Sequence, residues 1–295
     1  MGAINSSEII VIIQKKDRET QWTERNWSES GVSRWTYAAI VILLGVTLLG
    51  ISVVLVFLGF VELVSSYSLV IAPPTGLLIG IMGISFFGRE SFLKEDRYHT
   101  LNVWLALGLI FFSLADITTI LVYMSPNSSE ICFAIGLIQI PGLLLWALGV
   151  AGYLKSLDSS LRLTEGSQLW IALGIITVLA SLSLVVIFTI LFPSRNLLAS
   201  IVSVPIIVVL GLLICITTGI FWIFKEGYIS RPIILLIFGI ALLLARSIFW
   251  QIEDFCNGNA LNQIAAIESY LIIGASFLLA SELGTIFESS EQTET

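Results

Sequence analysis

LNVWLALGLIFFSLADITTILVY, Leu101 to Tyr123, is long enough to cross a bilayer and carries one carboxylate, Asp116, inside an otherwise apolar run. A second apolar run, Ile233 to Asp254, carries one guanidinium, Arg246, at nearly the matching depth. Charges at such depth are costly, and they face a bundle interior where they pair with each other or with water. The rest of the chain is read outward from these two segments.

The composition is that of a membrane protein. The chain has 295 residues, 57% hydrophobic and 12% charged, with a mean hydropathy of +0.98, outside the range of soluble domains. Eight spans are expected, roughly 36–65, 67–88, 101–123, 131–154, 168–192, 197–224, 233–254 and 264–283. Each reaches the ~20 residues that a spanning helix needs. The second is the weakest, because Pro73-Pro74 is expected to kink it, break it or delay its start.

Loop charges set the orientation. Lys15, Lys16, Arg18, Arg25 and Arg34 precede the first span. Arg89, Lys94 and Arg97 follow the second, Lys155 and Arg162 the fourth, and Lys225 and Arg231 the sixth. All twelve fall on one side and only Arg195 on the other, so both termini are expected in the cytoplasm of a multi-pass cell-membrane protein. Trp35, Trp104, Tyr153, Trp170 and Trp222 lie near the inner boundary, where amphipathic rings prefer to sit.

Three regions follow: a polar N-terminal segment (1–35), the eight-helix domain (36–283) and an acidic tail (284–295). The apolar patch Ile9 to Ile13 is too short to span and suits an interfacial or docking role for the N-terminal segment. The membrane domain reads as a 4+4 internal repeat, with halves of roughly 36–160 and 165–283 offset by about 130 residues. Gly83 to Glu90 matches Gly219 to Glu226, Pro74 matches Pro205, and Gln139 matches Glu268. Gly108 through Asp116 matches Gly239 through Arg246 with one residue slipped. Four helices per half is an even number, so the repeat is parallel, about an axis along the membrane normal.

Helical rise places the polar residues in one layer. Asp116 lies roughly 22 Å and Arg246 roughly 20 Å from the inner ends of their spans, and Glu268 roughly 6 Å from an outer end. Ser113, Thr119 and Tyr123 share the Asp116 face, Trp250 and Glu253 share the Arg246 face, and Gln139 is placed to join from the fourth span. The candidate polar cluster is therefore Asp116, Arg246, Glu268, Gln139, Ser113 and Thr119. It reads either as a structural ion pair joining the two halves or as an outward-facing pocket. With two carboxylates to one guanidinium, one carboxylate is expected to be able to hold a proton.

Catalysis is not expected. A single histidine, His99, read as a loop residue, excludes a Ser/His/Asp set and bis-histidine haem ligation. Cys132, Cys215 and Cys256 have no metal-ligand spacing, and no metal or other cofactor is implied. Cys132 and Cys256 are both placed at the outer face and form a candidate disulfide. No basic face exists to meet nucleic acid. The expected partner is the lipid bilayer, with a protein partner reached through the N-terminal segment. The sequence leaves a sensing or accessory/assembly subunit that acts through a partner, or alternatively a small-solute or ion transporter made of two parallel four-helix repeats. The inner half of the bundle has few polar residues, which weighs against transport, and Pro73-Pro74, Pro141-Gly142 and Pro205 mark where a transporter's helices would break.

Overall fold

Hydrocarbon offers the backbone no hydrogen-bond partners, so apolar runs of this length satisfy their own N–H and C=O groups as helices. The computed structural model describes residues 34–94, 97–123, 128–161, 197–225, 227, 229–252 and 260–292, with residues 175, 178, 179, 182, 183 and 186. Among these residues seven helices are long and apolar enough to cross a membrane. They are α1 (Arg34–Phe57), α2 (Val61–Lys94), α3 (Arg97–Tyr123), α4 (Ser128–Leu161), α5 (Leu197–Ile223), α6 (Ser230–Ile252) and α7 (Ala260–Gln292). The expected span 168–192 lies outside the described residues apart from those six, which are helical.

Several boundaries differ from the sequence reading. The first apolar run does not continue to residue 65. It stops at Phe57, and Gly59 takes a φ of 86°, a left-handed conformation that favours glycine. Phe60 N–H donates to Leu55 O at 2.9 Å and Gly59 N–H to Val56 O at 3.0 Å, the paired bonds that close a helix C-terminus on a glycine. The residues flanking the turn are as apolar as the helix, so hydropathy runs through it. Helix α2 then continues unbroken through Pro73-Pro74. Membrane helices tolerate proline because neighbouring helices and side-chain hydroxyls support the local backbone, and Thr75 Oγ1 donates to Ile71 O at 2.8 Å beside the two prolines. Helices α4 and α5 likewise run through Pro141 and Pro205. Helix α7 extends to Gln292, into the residues set apart as the acidic tail.

The helices form a ring. In order, α2 packs on α3, α3 on α4, α4 on α5, α5 on α6 and α6 on α7, and α7 closes back onto α2. Helix α1 stands outside the ring on α7 and touches α2 only lightly. Its buried residues are Ala38, Gly45 and Ser52, one small residue every seven, while Leu43, Val46, Val54 and Phe57 face outward. Small residues let a helix backbone approach its neighbour closely where lipid supplies no hydrophobic drive. The same device joins α3 to α4, where a Cβ on Gly108 would meet the Trp146 ring and, at 2.7 Å, the carbonyl of Gly142.

Helix α7 is the most enclosed, and hydroxyls fasten it to α6. Ser269 Oγ donates to Gly239 O at 2.8 Å and Ser276 Oγ to Pro232 O at 2.7 Å. These rungs lie seven residues apart on each antiparallel helix. At the end of the ring where α2 gives way to α3, Phe87 is fully buried between Phe277, at 6.0 Å between ring centroids, and His99, at 5.5 Å. His99 is thus a buried residue of α3, where the sequence reading had placed it in a loop. Outside this core, Arg231 stacks over Trp35 and Lys225 over Trp222, each 5.0 Å from the ring centroid.

Candidate functional site

Helices α3 and α6 face each other across the ring, and their charged side chains meet in its interior. Arg246 sends Nη2 to Asp116 Oδ1 and Nη1 to Asp116 Oδ2, the latter at 3.3 Å. Helix α7 completes the group. Tyr270 OH donates to Asp116 Oδ2 at 2.6 Å and accepts from Arg246 Nη1 at 3.1 Å, while Arg246 Nε donates to Asn262 Oδ1 at 3.0 Å. Asp116 and Tyr270 are 0% exposed and Arg246 2%. Both carboxylate oxygens and all three guanidinium nitrogens therefore have partners, and the group carries no net charge. That is the condition under which a buried ion pair can persist.

The other residues of the candidate cluster are spread around this centre. Gln139 reaches the far side of Arg246 from α4 and, with Phe112, Leu243 and Ser247, lines a hollow too tight to admit water. Ser113 lies one turn before Asp116 on α3, against the backbone of Gly76 and beside the Tyr270 ring, and its buried Oγ has no hydrogen-bond partner. Thr119 Oγ1 donates to Ala115 O of its own helix at 3.1 Å. Glu268 does not join the pair. It lies two residues from Tyr270, roughly 200° around the helix, and its carboxylate rests against Gly45 of α1. The side chains of Tyr123, Trp250 and Cys132, and residues Glu253 and Cys256, lie outside the described residues. Cys215 is a free thiol.

Tyr270 and Asn262 were not singled out in the sequence. Tyr270 is one of seven tyrosines and has no charge to mark it in an apolar run. Asn262 had a weak signal: with Ser269 and Ser276 it forms a polar residue at every seventh position, and it is the one of those three rungs onto α6 nearest the start of α7. Gln263, also unremarked, is fully buried, with neither amide atom hydrogen-bonded.

Among the described residues no three His, Cys, Asp or Glu side chains converge on a position that could hold a metal. The residues that do converge form a neutral, fixed polar knot. It can couple the positions of α3, α6 and α7.

Seven long apolar helices among the described residues, six of them ringed around a buried charge pair, define a multi-pass α-helical membrane protein. No family model, no curated protein and no solved structure matches the chain.

Proposed function

We propose that this protein is a non-catalytic membrane subunit that senses a ligand or assembles with a partner. In this reading it has eight spans in two parallel four-helix halves, with both termini in the cytoplasm. The observation that carries the functional reading is the closed Asp116–Arg246–Tyr270–Asn262 group, bonded within itself and sealed from solvent. A carrier site needs free valences for its cargo and helices interrupted at its depth. Helices α2, α4 and α5 run unbroken through their prolines. The orphaned polar atoms of Ser113 and Gln263 supply the sensing element, since buried groups without partners mark places where water or a small polar ligand belongs.

Three observations support the repeat. Rotating the ring by half a turn carries α2, α3 and α4 onto α5, α6 and α7 and preserves every neighbour relation. Asp116 and Arg246 are 130 residues apart, the offset read from the sequence, so the ion pair joins matching positions across the axis. Gly108 and Gly239 also match, and each lies at a close helix crossing, Gly108 with α4 and Gly239 with α7.

Transport is the second reading, favoured by this same two-fold arrangement, in which two similar units can rock about a central site. Single cysteines in place of Ser113 and Gln139, in an otherwise cysteine-free chain, separate the roles without knowledge of the ligand. Sensing predicts reaction with impermeant thiol reagents from the outer face only. Reaction from both faces in one preparation would establish alternating access and overturn the proposal. Reaction from neither face leaves the assembly role. In the same background, cysteines at Asn127 and Asn259 are expected to react in intact cells, and cysteines at Phe92 and Ser160 to stay protected. The reverse pattern would overturn the topology.

A further inference from the structure

The seam between α1 and α7 holds a second ionisable group that the central network does not use. Glu268 is 8% exposed, and its Oε1 is buried with no hydrogen-bond partner. Its Oε2 sits 2.6 Å from the point where a Cβ on Gly45 would stand. Glycine at position 45 lets the carboxyl group lie directly against the α1 backbone, and a Cβ there would push it aside. Helix α7 starts at Ala260, so Glu268 lies roughly 12 Å along it, within the apolar layer.

Among the described residues no cation meets this carboxyl group. Between Tyr37 and Phe57, α1 has no ionisable side chain. Within the apolar span of α6 the only ionisable group is Arg246, which is turned to the opposite side of α7 and bonded to Asp116, Asn262 and Tyr270. In the outer part of α2, Glu62 is an exposed first-turn residue and the Tyr67 hydroxyl is bonded to Ser52. On α7 itself, Tyr270 is committed to Asp116. An anion in hydrocarbon without a partner is costly, and intramembrane acids left in this position mark proton or ion sites.

We propose that Glu268 is a proton-binding site within the membrane, housed in the α1–α7 seam and separate from the Asp116–Arg246 network. The proposal rests on membrane embedding and is independent of whether the protein senses, assembles or transports. The ligand is the proton, and α1 is the cover. The seam is made of small residues on α1, and α1 is the helix with the most surface facing outward, so a small apolar reagent in the lipid has a short path to the carboxyl group.

A hydrophobic carbodiimide tests this. The protonated carboxyl group adds across one C=N bond: a new bond forms from the carboxyl oxygen to the carbodiimide carbon, and the acid proton moves to nitrogen. The acyl group then shifts from oxygen to nitrogen and leaves a stable N-acylurea. No atom is lost, and the modified peptide gains the mass of one whole reagent. The full-length protein in membranes is treated on either side of neutral pH, in sodium-free and sodium-rich buffer, and the modified residue is mapped by mass spectrometry. Labelling of Glu268 is expected to be strongest at acid pH, to fall roughly tenfold per pH unit once the acid is titrated, and to ignore sodium. Asp116, held by Arg246, is expected to stay unlabelled, and E268Q to abolish the signal. The mapping is done on the unaltered chain, so the result stands even if E268Q fails to fold. Absence of label at Glu268, label that does not depend on pH, or protection by sodium would each overturn the proposal.

Discussion

Removing one partner of the central pair should cost far more than removing both. In R246Q the Asp116 carboxylate keeps a single donor, the Tyr270 hydroxyl, and loses its counter-ion. In D116N the guanidinium keeps the Tyr270 oxygen, Asn262 Oδ1 and the new amide oxygen. Orphaning a buried charge typically costs about 3–5 kcal/mol, so R246Q is expected near the upper end and D116N near the lower. The double variant leaves neutral amides among neutral partners. Its loss is that of ordinary hydrogen bonds between membrane helices, which average about 0.6 kcal/mol and reach about 1.7. The double variant should therefore be more stable than either single one, with a coupling energy of at least about 2 kcal/mol. Unfolding free energies from SDS titration in mixed micelles measure all four corners of the cycle. Single effects that add within about 0.5 kcal/mol would mean that the two residues do not interact, and the central premise of the site would fail.

Other outcomes follow from neighbouring contacts. Y270F removes a hydroxyl that bonds both members of the pair and is expected to cost about 1–2 kcal/mol in the same titration, without changing the topology. G108A and G239A force a methyl group into close helix crossings and are each expected to destabilise the protein by about 1–3 kcal/mol. G50A, at a position with nothing nearby, should have little effect, and an equal loss there would refute the packing account. A disulfide between Cys132 and Cys256 would close a loop of about 125 residues and add on the order of 4–5 kcal/mol in the chain-entropy model. Equal thiol labelling with and without reductant would exclude it.

The legibility of each feature followed its physical contrast. Asp116 and Arg246 stood out because one charge in a run of apolar residues has a large transfer cost, and helical rise alone put them at one depth. The helices were legible from length and hydropathy. The turn at Gly59 was hidden because Leu58, Phe60 and Val61 are all apolar, and backbone dihedrals do not register in hydropathy. Glu268 misled for a related reason: depth is readable from position along a helix, but the direction in which a residue faces depends on which neighbour that helix selects. Helix α7 selects α1 on one side and α6 on the other, and the two-residue step from Glu268 to Tyr270 decides which side each one meets. The small-residue stripe Ala38, Gly45, Ser52 carried that information, but it reads as a packing surface only once its partner is known.

The placement of α1 on α7 has a consequence for biosynthesis. Helix α1 docks against a helix that leaves the ribosome long after it. About 200 residues separate Phe57 from Ala260, which at ribosomal rates of 5–20 residues per second is roughly 10–40 s of waiting. Through that interval, among the described residues, α1 has only its light contact with α2, and the glycine and serine face that α7 will cover waits for it. The closure of the ring, α7 onto α2, is delayed in the same way. The nascent chain therefore passes through an open, arc-shaped intermediate, and assembly finishes when α7 slides in between α1, α2 and α6. During that wait the notch at Gly45 lies open to lipid, to insertase machinery and to the small-residue faces of other chains.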